Sequence, residues 1–195
     1  MIRHAAAALL LLATPLAAQS SLHPVPPGLE ALVVAIVEQR ADGSPSTFGP
    51  ILRELAIKMD DDPANDLPGH RLSLNEQFRL TKEAALLGVA LTDSQIVNAW
   101  ALKTYLGRGC TGFPAAANAF WNVEANEEPT ARQIATLSVL SLAPTANSAT
   151  PQALSRAYTQ ALTNAEGALP PRISETLSSE GPEPIPQAAR CAENP

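Results

Sequence analysis

Aromatic residues are scarce in this chain, at 4% of the total. Strands draw on aromatic and β-branched side chains, so the scarcity disfavours a sheet protein and leaves Ala and Leu to fill a core of packed helices. Basic runs are absent and the formal net charge is −6, which argues against a nucleic-acid partner. No long apolar stretch follows the N-terminal one, so the mature chain is expected to be soluble. Histidine is nearly missing beyond the first turns of sequence, with only His23 and His70. A catalytic thiol at Cys110 would need a base, and neither histidine is placed beside it by sequence. Cys110 and Cys191 are the two cysteines.

The N-terminus is informative. "MIRHAAAALLLLATPLAAQS" has a basic start at Arg3, an apolar run from Ala5 to Ala13, then Pro15 and small residues. That is the pattern of a secretory signal, expected to end near Ala18. The run is too short to span a bilayer, which takes about 20 residues; an uncleaved anchor is the alternative. The expected location is periplasmic or secreted. In an exported protein an even pair of cysteines reads as a disulfide, here Cys110–Cys191. Closing most of the C-terminal half would stabilise by ~4 kcal/mol on the chain-entropy model.

With 195 residues the chain suits one domain. Residues 1–18 form the signal and 19–28 a Pro-rich lead-in. Residues 29–166 form a helical domain, and 167–195 a Pro/Ser/Glu-rich tail with little expected order before Cys191. "LEALVVAIVEQR" places Leu29, Leu32, Val33, Ile36 and Val37 on one helical face. "ILRELAIKM" reads as a short helix. Ser73/Glu76, Thr92/Gln95 and Thr130/Gln133 are capping boxes that open three further helices. Gly88 is unusual inside the first of them. Pro114 and Pro151 suit the first turns of two more. The fold class is mostly α.

Between the helices lies "YLGRGCTGFPAAANAFW", residues 105–121, with three glycines and a cysteine in six positions. The order helix, glycine loop, Ala-rich helix, "EPTARQIATLSVLSLAPTANS" resembles the peptidoglycan glycosyltransferases of family 51. That family is the lysozyme-like domain of class A penicillin-binding proteins and of monofunctional transglycosylases. Ile96 and Val97 fit its I-L pair. Tyr105, Gly107, Gly109 and Gly112 fit its glycine segment, Ala115 to Ala117 its alanines, and Phe120-Trp121 its aromatic pair. Thr130, Ala135, Leu137, Leu140 and Ala143-Pro144 fit the helix that follows. Upstream, "RLTKEAALLGVAL" resembles the R-K-x-x-E segment, with Arg79 and Glu83 at the Arg and Glu places and Lys82 near the Lys. "PILRELAIKM" resembles T-Q-Q-L-A-K-N through Leu55 and Ala56, with Lys58 one place from the Lys, but without the Q-Q pair.

The resemblance implies a single lysozyme-like helical domain acting on lipid-linked disaccharide or glycan strands in cell-wall synthesis. It is good over 79–145 and weak where the family carries its catalytic E-D-x-x-F-x-x-H-x-G. Ungapped counting puts Arg40 at the catalytic position, Glu38 stands two residues early, and no His precedes Gly49. A carboxylate must take the proton from the attacking sugar hydroxyl. Glu38 is the candidate base, and Glu83 the candidate orienting acid or metal ligand. Arg79, Lys82 and Lys58 are the candidates for contact with pyrophosphate. A divalent metal is left open. The implied partners are a peptidoglycan precursor, a glycan strand or a cell-wall enzyme, with the protein peripheral to the membrane at most. Two alternatives stand beside the enzyme: an inactive periplasmic relative that binds glycan or a partner, and an unrelated helical secreted protein.

Overall fold

The computed structural model describes residues 23–38, 48–60 and 73–191. The expected signal segment, Arg40 and His70 lie outside them. Nine helices form among the described residues: α1 Glu30–Glu38, α2 Gly49–Met59, α3 Leu74–Ala90, α4 Asp93–Lys103, α5 Phe113–Trp121, α6 Ala131–Leu142, α7 Pro144–Asn147, α8 Pro151–Ala165 and α9 Pro171–Glu180. Tyr105 and Thr111 make one isolated antiparallel bridge, and no strand forms among the described residues.

The helix starts follow local chemistry. Ser73, Thr92 and Thr130 each accept from the backbone N–H three residues on, and Glu76, Gln95 and Gln133 each return a side-chain bond. Two orphan amides are satisfied at each start. Pro occupies the first turns of α5 and α8, where its missing N–H costs nothing.

α6 is the centre of the fold. Ile134 through Leu140 are all buried, including Thr136 and Ser138, so this helix has no solvent face over two turns. The two hydroxyls donate to Arg132 and Ile134 carbonyl oxygens at 2.8 Å each, which keeps them satisfied inside an apolar core. α1 packs on α6 and also touches α2, α4 and α8. Its buried stripe of Leu32, Val33 and Ile36 is the one its spacing predicts. On α4, Ile96, Val97, Trp100 and Ala101 are all buried, and the Trp100 ring meets Phe113 edge-on at 5.6 Å.

Gly88 has a packing reason. A Cβ there would lie 3.1 Å from Leu52 Cδ1, so the missing side chain lets α3 seat closely on α2. The opposite face of α3 is unlike a normal surface: Leu74, Phe78, Leu86 and Val89 are all more than half exposed.

The segment after Gly167 departs from expectation. Its Pro and Ser content suggests little order, yet it forms α9 and then a strap over residues 181–191. Long-range polar contacts fix the strap. Arg132 donates to the carbonyls of Glu180, Gly181 and Pro182 at 2.9–3.0 Å and pairs with Glu183. Trp121 Nε1 donates to Pro184 O at 2.8 Å. The Glu183 N–H donates to Thr136 Oγ1 at 2.9 Å. Composition reports none of these, because each joins residues about fifty or more positions apart.

Candidate functional site

The glycine loop closes as a tight turn between α4 and α5. Leu106 N–H donates to Cys110 O at 2.9 Å, Cys110 N–H to Gly107 O at 2.9 Å, and Gly112 N–H to Thr104 O at 2.8 Å. Gly107 and Gly112 have φ of 82° and 85°, a region L-residues avoid. A Cβ on Gly107 would stand 2.7 Å from Pro144 O, and one on Gly112 2.7 Å from Leu102 O. The loop therefore lies directly against backbone on both sides.

Between these glycines Arg108 takes the left-handed conformation, φ 53°. Its guanidinium donates to Pro186 O at 2.7 Å and Ser148 O at 2.9 Å. Cys110 and Cys191 form a disulfide with Cα atoms 5.0 Å apart, as the cysteine count suggests. The loop is thus tied to both the α7–α8 turn and the strap. A shallow cleft of about 350 Å³ lies beside this junction, lined by Arg108, Ser148, Gln187 and Arg190 among others.

The five residues singled out for chemistry do not line a common cleft, although two of them pair with each other. Arg79 and Glu83, one turn apart on α3, form an ion pair at 3.3 Å. Arg79 also pairs with Asp60 at the C-terminal cap of α2, a partner that sequence spacing does not reveal. Hydrogen bonding to Asp60, with further help from the charge of Glu83, pushes the Arg79 guanidinium above its ordinary value. Lys58 sits in the last turn of α2. Lys82 points outward on α3. Glu38 closes α1, and both of its carboxylate oxygens are shut off from solvent. α2 packs against both α1 and α3 and stands between the helices of Glu38 and Glu83. Neither the 350 Å³ cleft nor a second groove of about 550 Å³ beside α9 is lined by any of the five.

Glu54, on α2, is the carboxylate that sequence reasoning passed over. Its Oε2 accepts from Trp100 Nε1 at 2.7 Å and its Oε1 from Thr104 Oγ1 at 2.9 Å. Both donors lie on or at the end of α4. The available signal was position: Glu54 shares a helical stripe with Ile51, Leu55 and Lys58, beside the buried face.

Two further polar features are built into the fold. Glu30 accepts from Ser94 Oγ at 2.9 Å and from Gly28 N–H at 2.7 Å. Burial pushes its carboxyl up, but its own N–H, Ser94, Gly28 and the nearby His23 outweigh that and hold it below the usual value. Among the described residues, the buried Tyr158 hydroxyl has no hydrogen-bond partner. Burial pushes it above the usual tyrosine range, within electrostatic reach of Arg132, Glu180 and Glu183.

Among the described residues no group of three or more His, Cys, Asp or Glu is placed to hold a metal ion. No described helix is long and apolar enough to cross a membrane. No known family profile and no curated protein matches the chain.

Proposed function

We propose that this chain is a non-catalytic binding protein of the cell envelope, holding glycan strands on a helical scaffold of the kind the glycosyltransferase resemblance implies. The observation that carries this reading is the placement of Glu38. A general base must come within about 2.6–3.2 Å of the hydroxyl it deprotonates, directly or through one water. Glu38 has both oxygens shut off from solvent, and α2 separates its helix from that of Glu83. Glu83 in turn faces Arg79, which is shared with Asp60. A cation paired in this way has less left to give a departing pyrophosphate. The disulfide fits an oxidising compartment, and glycan is the ligand class that the glycine segment and its flanking helices suggest by resemblance.

The test has two arms on the purified mature protein. Incubation with lipid-linked disaccharide is expected to give no polymer, and co-sedimentation with purified peptidoglycan sacculi is expected to retain the protein. Polymer that disappears in Glu38→Gln or Glu83→Gln would overturn the non-catalytic reading. A folded protein that leaves sacculi entirely in the supernatant would overturn the glycan reading.

A further inference from the structure

The groove beside α9 presents an unused pair of charges. It holds about 550 Å³ and has an apolar floor that includes Ile173 and Leu177. Arg172, Thr176 and Glu180 lie four residues apart along α9 and so share one helical face. All three are exposed and line the groove. The opposite wall is the start of α6, where Arg132 is engaged: its guanidinium holds the α9 C-terminal carbonyls and pairs with Glu183. That internal pairing leaves Arg172 as the cation at one end and Glu180 as the anion at the other. Neither side chain makes a hydrogen bond or ion pair among the described residues.

Eight residues of helix separate the two by about 12 Å at 1.5 Å per residue. An extended peptide advances about 3.3–3.6 Å per residue, so three to four residues carry a free amine and a free carboxylate across that distance. We infer that the α9 groove binds a short peptide with both ends free, its amine at Glu180, its carboxylate at Arg172 and its small side chains on Ile173 and Leu177. Charge complementarity favours this ligand over an anion or a cation alone, since only a ligand that carries both charges engages both ends of the groove. The inference stands apart from the glycan reading and uses none of the residues discussed for glycosyl transfer.

The probe is tetra-alanine, with N-acetylated, C-amidated and dialanine controls, titrated calorimetrically into the disulfide-intact protein. Tetra-alanine is expected to bind with Kd below about 1 mM. Blocking either end, or shortening to dialanine, is expected to weaken binding about tenfold or more. Arg172→Gln should remove the penalty for amidation and leave that for acetylation, and Glu180→Gln should do the reverse. Both side chains are exposed, and a circular dichroism melt checks that each variant is folded. Absence of binding to the wild-type protein at millimolar peptide would overturn the inference. So would equal binding of the blocked and free peptides, or end preferences unchanged in the two variants.

Discussion

Trp100 donates its indole N–H to Glu54 across the α2–α4 seam, 2.7 Å from nitrogen to Oε2, while Thr104 holds the other carboxylate oxygen. Trp100 and Thr104 are both buried, so the carboxylate serves as the acceptor for two donors that have little access to water. Hydrogen bonds to a charged group contribute about 1.5–3 kcal/mol, and a buried donor left without its acceptor costs about 1–3 kcal/mol. Glu54→Leu is therefore expected to lower stability by about 2–4 kcal/mol. For a chain of this size each kcal/mol moves Tm by about 2–4 °C. Glu54→Gln keeps one acceptor oxygen and should fall less than half as far. Thermal melts of the two variants check this, and equal Tm values for Leu and Gln would remove the hydrogen-bonding role.

Joining the cysteines constrains the unfolded chain over a separation of 81 residues. Cys110→Ser with Cys191→Ser is expected to cost about 2–5 kcal/mol, the range for native disulfides. The bonds of Arg132 to the carbonyls at the end of α9 remain, so α9 should stay helical after the change. Denaturant unfolding with and without a thiol reductant gives the cost. Far-ultraviolet dichroism of the double variant tests the survival of α9.

Replacing the loop glycines with alanine should give an ordered series. Positive φ alone costs a non-glycine residue about 1–2 kcal/mol. Gly109 has φ 75°, and a Cβ there meets nothing closer than 3.5 Å; its substitution should cost about that amount. Gly107 and Gly112 would add a Cβ 2.7 Å from a carbonyl oxygen, so each should cost clearly more. At Gly112 the opposing atoms are all backbone, which cannot rotate away. Melting temperatures in the order Gly109→Ala above the other two are expected; a reversed order would contradict the packing of the loop.

Acid should weaken the protein partly through Glu30. Its carboxyl is held below the ordinary value of 4.5 in the folded chain. A depressed folded pKa means the ionised form is favoured by folding. Its contribution is full above the unfolded value and is lost as pH falls through the folded one. Glu30→Gln should therefore melt below the wild type at pH 7, and the two curves should converge as pH falls through the lowered folded value. A constant offset between the two at every pH would show that Glu30 acts through packing instead.

Much of the helical architecture is legible in the sequence because it rests on local rules. The three capping boxes, the apolar stripes of α1 and α4 and the proline starts each occupy a few adjacent turns, and the structure has all of them. The cysteine pair is also legible, since two thiols allow one pairing. What escapes is long-range: Asp60 on Arg79, Trp100 on Glu54, and the arginines that gather residues 181–191. α9 escaped because its face is mostly polar and flanked by proline and glycine; Arg132, far upstream, holds its C-terminal end. Of the candidate site, the Arg79–Glu83 pair follows from helical spacing alone. The sequestration of Glu38 does not, because it depends on how α1 meets its neighbours.

The Cys110–Cys191 bond makes a covalent ring that contains α5 to α9. Pulled from points outside that ring, the unfolded chain cannot pay out the enclosed residues. Some 81 residues at about 3.3–3.6 Å each would be missing from its contour length, roughly 270–290 Å. Reduction should restore that length, so a single molecule under tension reports directly whether its strap is sewn to its middle.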